Sequence, residues 1–544
     1  MKKLSHKAAV TLAALTICLA WAGACVAVRA GDRDKARAQA DRALREGEFE
    51  SAERQYRELI AKDAKDEAAR LGLSYALLKQ RHLRDAYDAA ARVVALDPTS
   101  ARAHALLGSV LLAAGDFPVS IEEFRTALSF KEDEALAIAG LSMVNFYENR
   151  PAIALAGLRR AMELDSDEPD FVFNYAQSAA RAERYREAAD AYDRFLRIAP
   201  KTDADRRARI RGLIDFLRYL GAQSDLYNAG GPDRTVVPFE LSNNRPVVRV
   251  SINGSKQTLR FVIDTGSGMC VLSTDAAQRL GVRAVARGGM ARAVGGGGRF
   301  EIVYGFLDSL RVGEAHVSNV PVYLREFHNA QEPVDGYIGL SILAKYLASV
   351  DYSKHELILM RDEEARVPES PVTAAGAQSS QLQQPPGVFE LPIRSTSSGF
   401  WSSAINVEGV EKPLNFIVDT GASISVVASA LTQREDLTRF VQPTHLRVYG
   451  AAGISDDVQL LLLPRVKLGA YTHANLSAAV LDMDSINETA GFEQTGIIGG
   501  NILRFFRVTF DFQRAIVRLE LVAGDQSQPT RDANLAPLPL PSVP

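Results

Sequence analysis

Two aspartates stand at the ends of matching apolar runs. Phe261-Val262-Ile263 leads into Asp264-Thr265-Gly266-Ser267, and Phe416-Ile417-Val418 leads into Asp419-Thr420-Gly421-Ala422. An apolar strand carries its aspartate toward a buried floor, glycine lets the following turn double back, and threonine has a hydroxyl able to bond across to a partner. Two such carboxylates suggest one active site. Facing carboxyl groups about 3 Å apart cannot both ionise, so they share a single proton. Only the first copy follows its triplet with a hydroxyl: Ser267 stands where the second copy has Ala422.

The elements that must position these residues are duplicated as well. Gly254 and Gly409, Leu259 and Leu414, Asp264 and Asp419, Gly295 and Gly450, and Gly298 and Gly453 are each 155 residues apart. Gly336 and Gly496, Gly339 and Gly499, and Asp351 and Asp511 are 160 apart, so a net insertion of five residues separates the two sets. Composition over this half is rich in Val, Ile, Phe, Thr and Gly, which reads as short strands and turns. Residues 234–365 and 387–523 are therefore two copies of one β domain. A Pro-, Ser-, Gln- and Ala-rich linker, 366–386, joins them. Its roughly 20 residues span about 25 Å as a flexible chain, enough to let the copies face each other.

Each copy resembles a retropepsin-type lobe, and the tandem pair resembles the two-lobed, single-chain arrangement of pepsin. The likeness rests on the two strand-Asp-Thr-Gly segments and on the later Gly336-Tyr337-Ile338-Gly339 and Gly496-Ile497-Ile498-Gly499, the apolar-apolar-Gly pattern that in this family crosses beneath the Asp-Thr-Gly loop. It implies that Asp264 and Asp419 hold a water, one as base and the other, protonated, polarising the scissile carbonyl. Thr265, Gly266, Ser267, Thr420, Gly421 and Ala422 then support the dyad. Gly295 and Gly298 in one copy, and Tyr449 and Gly450 in the other, sit where a flap hairpin would cover the cleft, with glycine permitting a mobile tip. The implied activity is that of an aspartic-type endopeptidase, a hydrolase needing neither metal nor cofactor. If the Ser267 hydroxyl bonds to Asp264, that carboxyl should be the more often ionised and Asp419 should hold the proton.

The first half is of another kind. Ala52, Ala86, Ser120, Ala154 and Ala188 recur every 34 residues, followed four positions later by Tyr56, Phe124, Leu158 and Tyr192, with Ala90 as the exception. A small residue and then a bulky one a turn later suits tightly crossed helices. This resembles the tetratricopeptide repeat, including Gly47-Glu48-Phe49 and Gly115-Asp116-Phe117 at interhelical turns and Asp97-Pro98 and Ala199-Pro200 at repeat ends. Residues 33–221 thus read as an all-α solenoid of about five repeats, closed by a capping helix from about Asp203 to Leu220. Such arrays usually bind a peptide or protein in their groove; a spacer or dimerisation platform is the other reading. Asn228 to Pro232 reads as a glycine-rich link.

Lys2, Lys3 and Lys7 precede an uncharged stretch from Ala8 to Val28, the pattern of an export signal. Residues 1–30 are read as a signal peptide, a lipidated leader ending near Cys25, or an uncleaved membrane anchor. The protein is then expected outside the cytoplasm, periplasmic or anchored to the membrane. Cys270 is the only thiol in the body of the chain and lies in an apolar run, as a buried structural cysteine would. The tail 524–544 is expected to be disordered. A net charge of −3 and a pI near 6.3 give no basis for a nucleic-acid partner. Scattered histidines, no paired cysteines and no phosphate loop argue against zinc or nucleotide chemistry. The expected partners are a peptide or protein substrate and a protein held by the repeats. The alternatives are a catalytically silent peptide-binding scaffold, and lobes that pair between chains.

Overall fold

The computed structural model describes residues 33–292, 294, 298–327, 333–361, 387–450 and 453–522. The expected leader, the linker 366–386, Gly295 and the tail 524–544 lie outside the described residues. By packing, the chain divides into two compact units. One comprises Met1–Leu141, Arg159–Glu168 and Ile198–Ala204; the other comprises Ser142–Leu158, Pro169–Arg197 and Asp205–Pro544.

Residues 33–46 form α1, followed by α2 (Phe49–Lys62), α3 (Glu67–Lys79), α4 (Leu83–Leu96), α5 (Ala101–Ala113), α6 (Phe117–Phe130), α7 (Ala135–Tyr147), α8 (Pro151–Leu164), α9 (Pro169–Arg181), α10 (Tyr185–Ile198) and α11 (Ala204–Leu220). Helix starts repeat every 34 residues because the burial pattern does. Ala52, Ala86, Ser120, Ala154 and Ala188 are fully buried. In the first unit the bulky position fills a glycine notch on a neighbouring helix: Tyr56 lies against Gly72, and Phe124 between Gly108 and Gly140, leaving no room for a methyl group at any of the three. The turn within each repeat places one residue at positive φ, namely Gly47, Arg81, Gly115, Asn149 and Glu183. This left-handed residue is the usual helix-terminating device. Only two of the five positions carry the glycine that makes it visible in sequence.

In the second unit, one face of α11 packs on the last repeat, with the Arg206 guanidinium over the rings of Phe173 (4.6 Å) and Phe195 (5.2 Å). Its other face is not a solvent-facing end. Phe216 stacks on Tyr304 at 4.2 Å and Tyr219 meets Phe306 edge-on at 5.4 Å, so the helix is packed onto the first lobe. Gly212 lies so close to the backbone of Arg287 and Gly288 that a side chain there would collide with it. The segment read as a link, Asn228–Gly230, is a short strand paired antiparallel to Ala315–Arg325.

Each lobe is a twisted sheet built on the apolar strand that ends at its aspartate. Asn253-Gly254, both at positive φ, form a tight turn within the loop between Arg245–Ile252 and Leu259–Ile263. The lobes are joined by a six-stranded portion of a longer sheet, in the order Arg234–Pro238, Glu356–Met360, Leu347–Asp351, Phe506–Asp511, Ile516–Leu521 and Val388–Ser395. At its centre Ala348, Ser349, Val350 and Asp351 pair with Phe510, Thr509, Val508 and Arg507. The Ser349 and Thr509 hydroxyls meet at 2.7 Å. Val350, Leu357, Phe506, Phe510 and Leu519 are buried there.

Asp351 is 1% exposed and accepts from Arg507 Nε at 2.9 Å and Nη2 at 2.7 Å, as well as from Ser353 and the Lys354 N–H. Burial opposes its ionisation, but these donors outweigh burial and hold the carboxyl below its ordinary range. A carboxyl with a lowered folded pKa stabilises the fold above the unfolded value, about 4, and loses that contribution as pH falls through the folded value. Arg507→Ala should destabilise the lobes by about 1–3 kcal/mol at neutral pH, read as a lower thermal midpoint. The gap from the parent protein should narrow as pH falls below about 4, and an undiminished gap at pH 3 would contradict this role for the pair.

Candidate active site

Strands Leu259–Ile263 and Leu414–Val418 deliver Asp264 and Asp419 to the centre of the lobe pair. Each is held from below by its own apolar-apolar-Gly strand. Gly336, Tyr337 and Ile338 pair in parallel with Phe261, Val262 and Ile263, and Gly496, Ile497 and Ile498 with Phe416, Ile417 and Val418. The Asp264 N–H donates to Ile338 O at 3.0 Å and the Asp419 N–H to Ile498 O at 2.9 Å. Glycine is required at the crossing: a Cβ on Gly339 would lie 2.5 Å from Met269 O, and one on Gly499 2.7 Å from Ile424 O.

The two triplets interlock through four hydrogen bonds. Thr265 Oγ1 donates to Val418 O (2.8 Å) and Thr420 Oγ1 to Ile263 O (2.6 Å). In return the Thr420 N–H donates to Thr265 Oγ1 (3.0 Å) and the Thr265 N–H to Thr420 Oγ1 (3.2 Å). Both threonines are completely buried, so each unmade bond would cost the full desolvation of its atoms. The glycines bring the carboxylates face to face. A Cβ on Gly421 would lie 2.5 Å from Asp264 Oδ1, and one on Gly266 would collide with the Asp419 carboxylate.

The carboxyl groups are unequal. Asp264 accepts from the Gly266 N–H (2.9 Å) and from Ser267 Oγ (2.6 Å). Asp419 accepts from the Gly421 N–H (2.7 Å), and Ala422 has no hydroxyl to offer it. Burial raises both. For Asp264 the bonds from Ser267 and Asp419 and the charge of Arg325 offset part of the rise. For Asp419 the neighbouring Asp264 charge adds to burial, and its carboxyl is pushed well above the usual range. These differences favour the shared proton on Asp419.

The structure brings together Asp264, Asp419, Thr265, Thr420, Gly266, Gly421, Ser267 and Ala422. The flap candidates belong to hairpins rather than to this floor. Tyr449 and Gly450 end strand Val441–Gly450 and pair with Ile454 and Gly453 of the returning strand. Gly298 immediately precedes the returning strand Arg299–Val312 of the first-lobe hairpin, and Gly295 lies outside the described residues. Arg325 was not singled out in the sequence. It ends strand Ala315–Arg325, opposite Ser273, where the second lobe pairs Leu481 with Ala428, so only the first lobe has a cation there. Comparing the copies position by position could have found it. Cys270 is free and buried, accepts from the Gly339 N–H at 3.3 Å, and its thiol is pushed up by burial to about 11, which suits packing rather than reactivity.

A family model described as aspartyl protease matches residues 248–342 and 404–502, one segment in each lobe. Models described as tetratricopeptide repeat match residues 43–110 and 143–202. No curated protein matches the chain in sequence. Among solved structures, an aspartic proteinase from Irpex lacteus is 15% identical, covering 53% of this chain and 98% of its own, with a TM-score of 0.34. A thermophilic TPR protein of Thermus thermophilus is 20% identical, covering 34% of this chain and 98% of its own, with a TM-score of 0.29. The N-terminal region thus carries segments that match tetratricopeptide repeats, and the C-terminal region carries two segments, one per lobe, that match an aspartyl protease model.

Proposed function

We propose that the protein is an exported endopeptidase that hydrolyses peptide bonds with a water activated between Asp264 and Asp419 of the same chain. The observation that carries this reading is the pair of buried, facing carboxyls with unequal proton affinity, each locked by the opposite lobe's threonine. Asp264, ionised, takes a proton from the water as it attacks the scissile carbonyl carbon. Asp419 gives its proton to the carbonyl oxygen, and a tetrahedral gem-diol forms. Collapse breaks the C–N bond as Asp264 passes its proton to the departing nitrogen and Asp419 regains one from a gem-diol hydroxyl, with water as the nucleophile and no covalent intermediate. The roles of Thr265, Gly266, Ser267, Thr420, Gly421 and Ala422 are to hold and polarise this pair, and the two hairpins cover the bound peptide. The repeats recruit a protein partner or substrate. Among the described residues no helix is long and apolar enough to cross a membrane, and export rests on the basic and apolar pattern of residues 1–30. Fused to a reporter active only outside the cytoplasm, that segment should give signal; none would contradict export.

The full chain, tested on a peptide library between pH 4 and 7, should cleave. Asp264→Asn and Asp419→Asn should each lose at least about 100-fold in kcat, the scale of a missing acid–base group. Mixing the two variants should restore nothing. Recovery on mixing would place the dyad between chains, and an inactive parent that still binds peptide would make the lobes a silent scaffold.

Ser267→Ala removes a donor that favours the ionised form of Asp264, so the acid limb of the pH–rate profile should move to higher pH. An unmoved limb would contradict the assignment of Asp264 as the ionised member.

A further inference from the structure

Two turns reach across the lobe boundary and touch the loop that follows the opposite lobe's aspartate. In the first lobe, Asn243-Asn244 connects Glu240–Ser242 to Arg245–Ile252, and Asn244 Nδ2 donates to Ser423 O at 3.2 Å. In the second lobe the longer turn Thr396 to Phe400 connects Val388–Ser395 to Trp401–Val407. A Cβ on Gly268 would lie 2.9 Å from Ser398 O, and one on Gly399 3.4 Å from the Gly268 Cα. Each turn therefore backs the catalytic loop of the opposite lobe.

The first of these turns is braced by a cation. Arg504 follows the short helix Gly500–Leu503, and its Nη1 donates to Asn244 Oδ1 at 3.1 Å. The matching position of the first lobe, 160 residues earlier, is Ala344, which follows the matching helix Leu340–Leu343. A methyl group donates nothing. On this side the brace comes from the repeats. Arg181, the last residue of α9, donates from Nη1 to Ser395 Oγ at 2.7 Å and from Nη2 to Thr396 O at 2.9 Å. Its guanidinium also lies 4.6 Å from the centre of the Phe146 ring. The repeat is held at this place by Glu183 with Lys345, the neighbour of Ala344 (3.0 Å), and by Asn149 Nδ2 donating to Phe512 O (3.1 Å). A desolvated guanidinium is costly unless its donors are used. Burial draws Arg181 down to about 10, so it remains a cation at neutral pH.

We propose that Arg181 is a positioning residue for the Asp264 loop, supplying from the repeat array the cation that the first lobe lacks at Ala344. The proteolytic site is then complete only with the last repeats docked on the lobes. This rests on the dyad reading above. A displacement of a catalytic loop by about 1 Å can cost about 100-fold in rate.

The test uses the full chain carrying Arg181→Met, which keeps the apolar stem and removes the donors. We expect kcat to fall at least about tenfold with KM within about threefold. Amide hydrogen exchange should quicken in the segment Asp264 to Cys270, while exchange in the core strand Phe506–Asp511 stays unchanged. Arg181→Lys, which retains charge and a donor, should recover part of the rate. The exchange readout needs no activity, so an inactive parent would defeat the dyad reading while leaving this positioning claim to be decided by exchange. Unchanged exchange at Asp264 to Cys270 together with kcat within about twofold of the parent would overturn the proposal. So would exchange that quickens equally through the lobe core in both variants, since that marks loss of fold rather than loss of position.

Discussion

Two carboxyl groups that face each other repel once both are ionised, and burial makes even one charge expensive. The structure ties together the backbone beneath them, while one shared proton removes the repulsion. Thr265 and Thr420 each accept from the other's N–H and donate to a carbonyl of the opposite lobe, with both side chains fully buried. These bonds exist only if both strands end at the same height. That height is set by the parallel pairing of each aspartate strand with its apolar-apolar-Gly partner and by the six-stranded portion of sheet that joins the lobes. Gly266, Gly421, Gly339 and Gly499 are consequences of the same demand, since a Cβ at any of them would strike a neighbour.

A strictly two-fold arrangement would give two carboxyls of equal proton affinity. Duplication within one chain allows them to diverge, and the divergence has one direction. The first lobe has the Ser267 hydroxyl and Arg325 near its aspartate, where the second has Ala422 and Leu481. Both differences favour charge on Asp264 and the proton on Asp419. The support around the lobes diverges too. Arg504 braces one cross-lobe turn from inside the lobes, and Arg181 braces the other from a repeat helix. Helix α11 lies against the backbone of Arg287 and Gly288 in the first-lobe hairpin.

Much of this was legible in the sequence because it is written in local patterns. The 34-residue spacing of small and bulky residues reports helix crossings directly, and paired Asp-Thr-Gly segments with matched downstream glycines report two copies of one floor. What stayed hidden depends on which surfaces meet. Phe216 and Tyr219 give α11 a second apolar face, but periodicity records burial and not the partner, so a helix packed onto a lobe reads as an end cap. Asn228–Gly230 looks like a link because a strand of three residues with glycine has no alternation to reveal it. The positive φ of Arg81, Asn149 and Glu183 is imposed by the repeat geometry on residues that do not advertise it. Arg181 and Thr396 are 215 residues apart and share no local signal.

The central claim is that one chain builds one proton-sharing dyad. It is tested most directly by calorimetric titration of the full chain with a peptide carrying a non-hydrolysable tetrahedral hydroxyl at the scissile position. The account predicts one ligand per chain, with binding lost in Asp264→Asn and in Asp419→Asn alike. One ligand per two chains, or binding indifferent to either substitution, would contradict it.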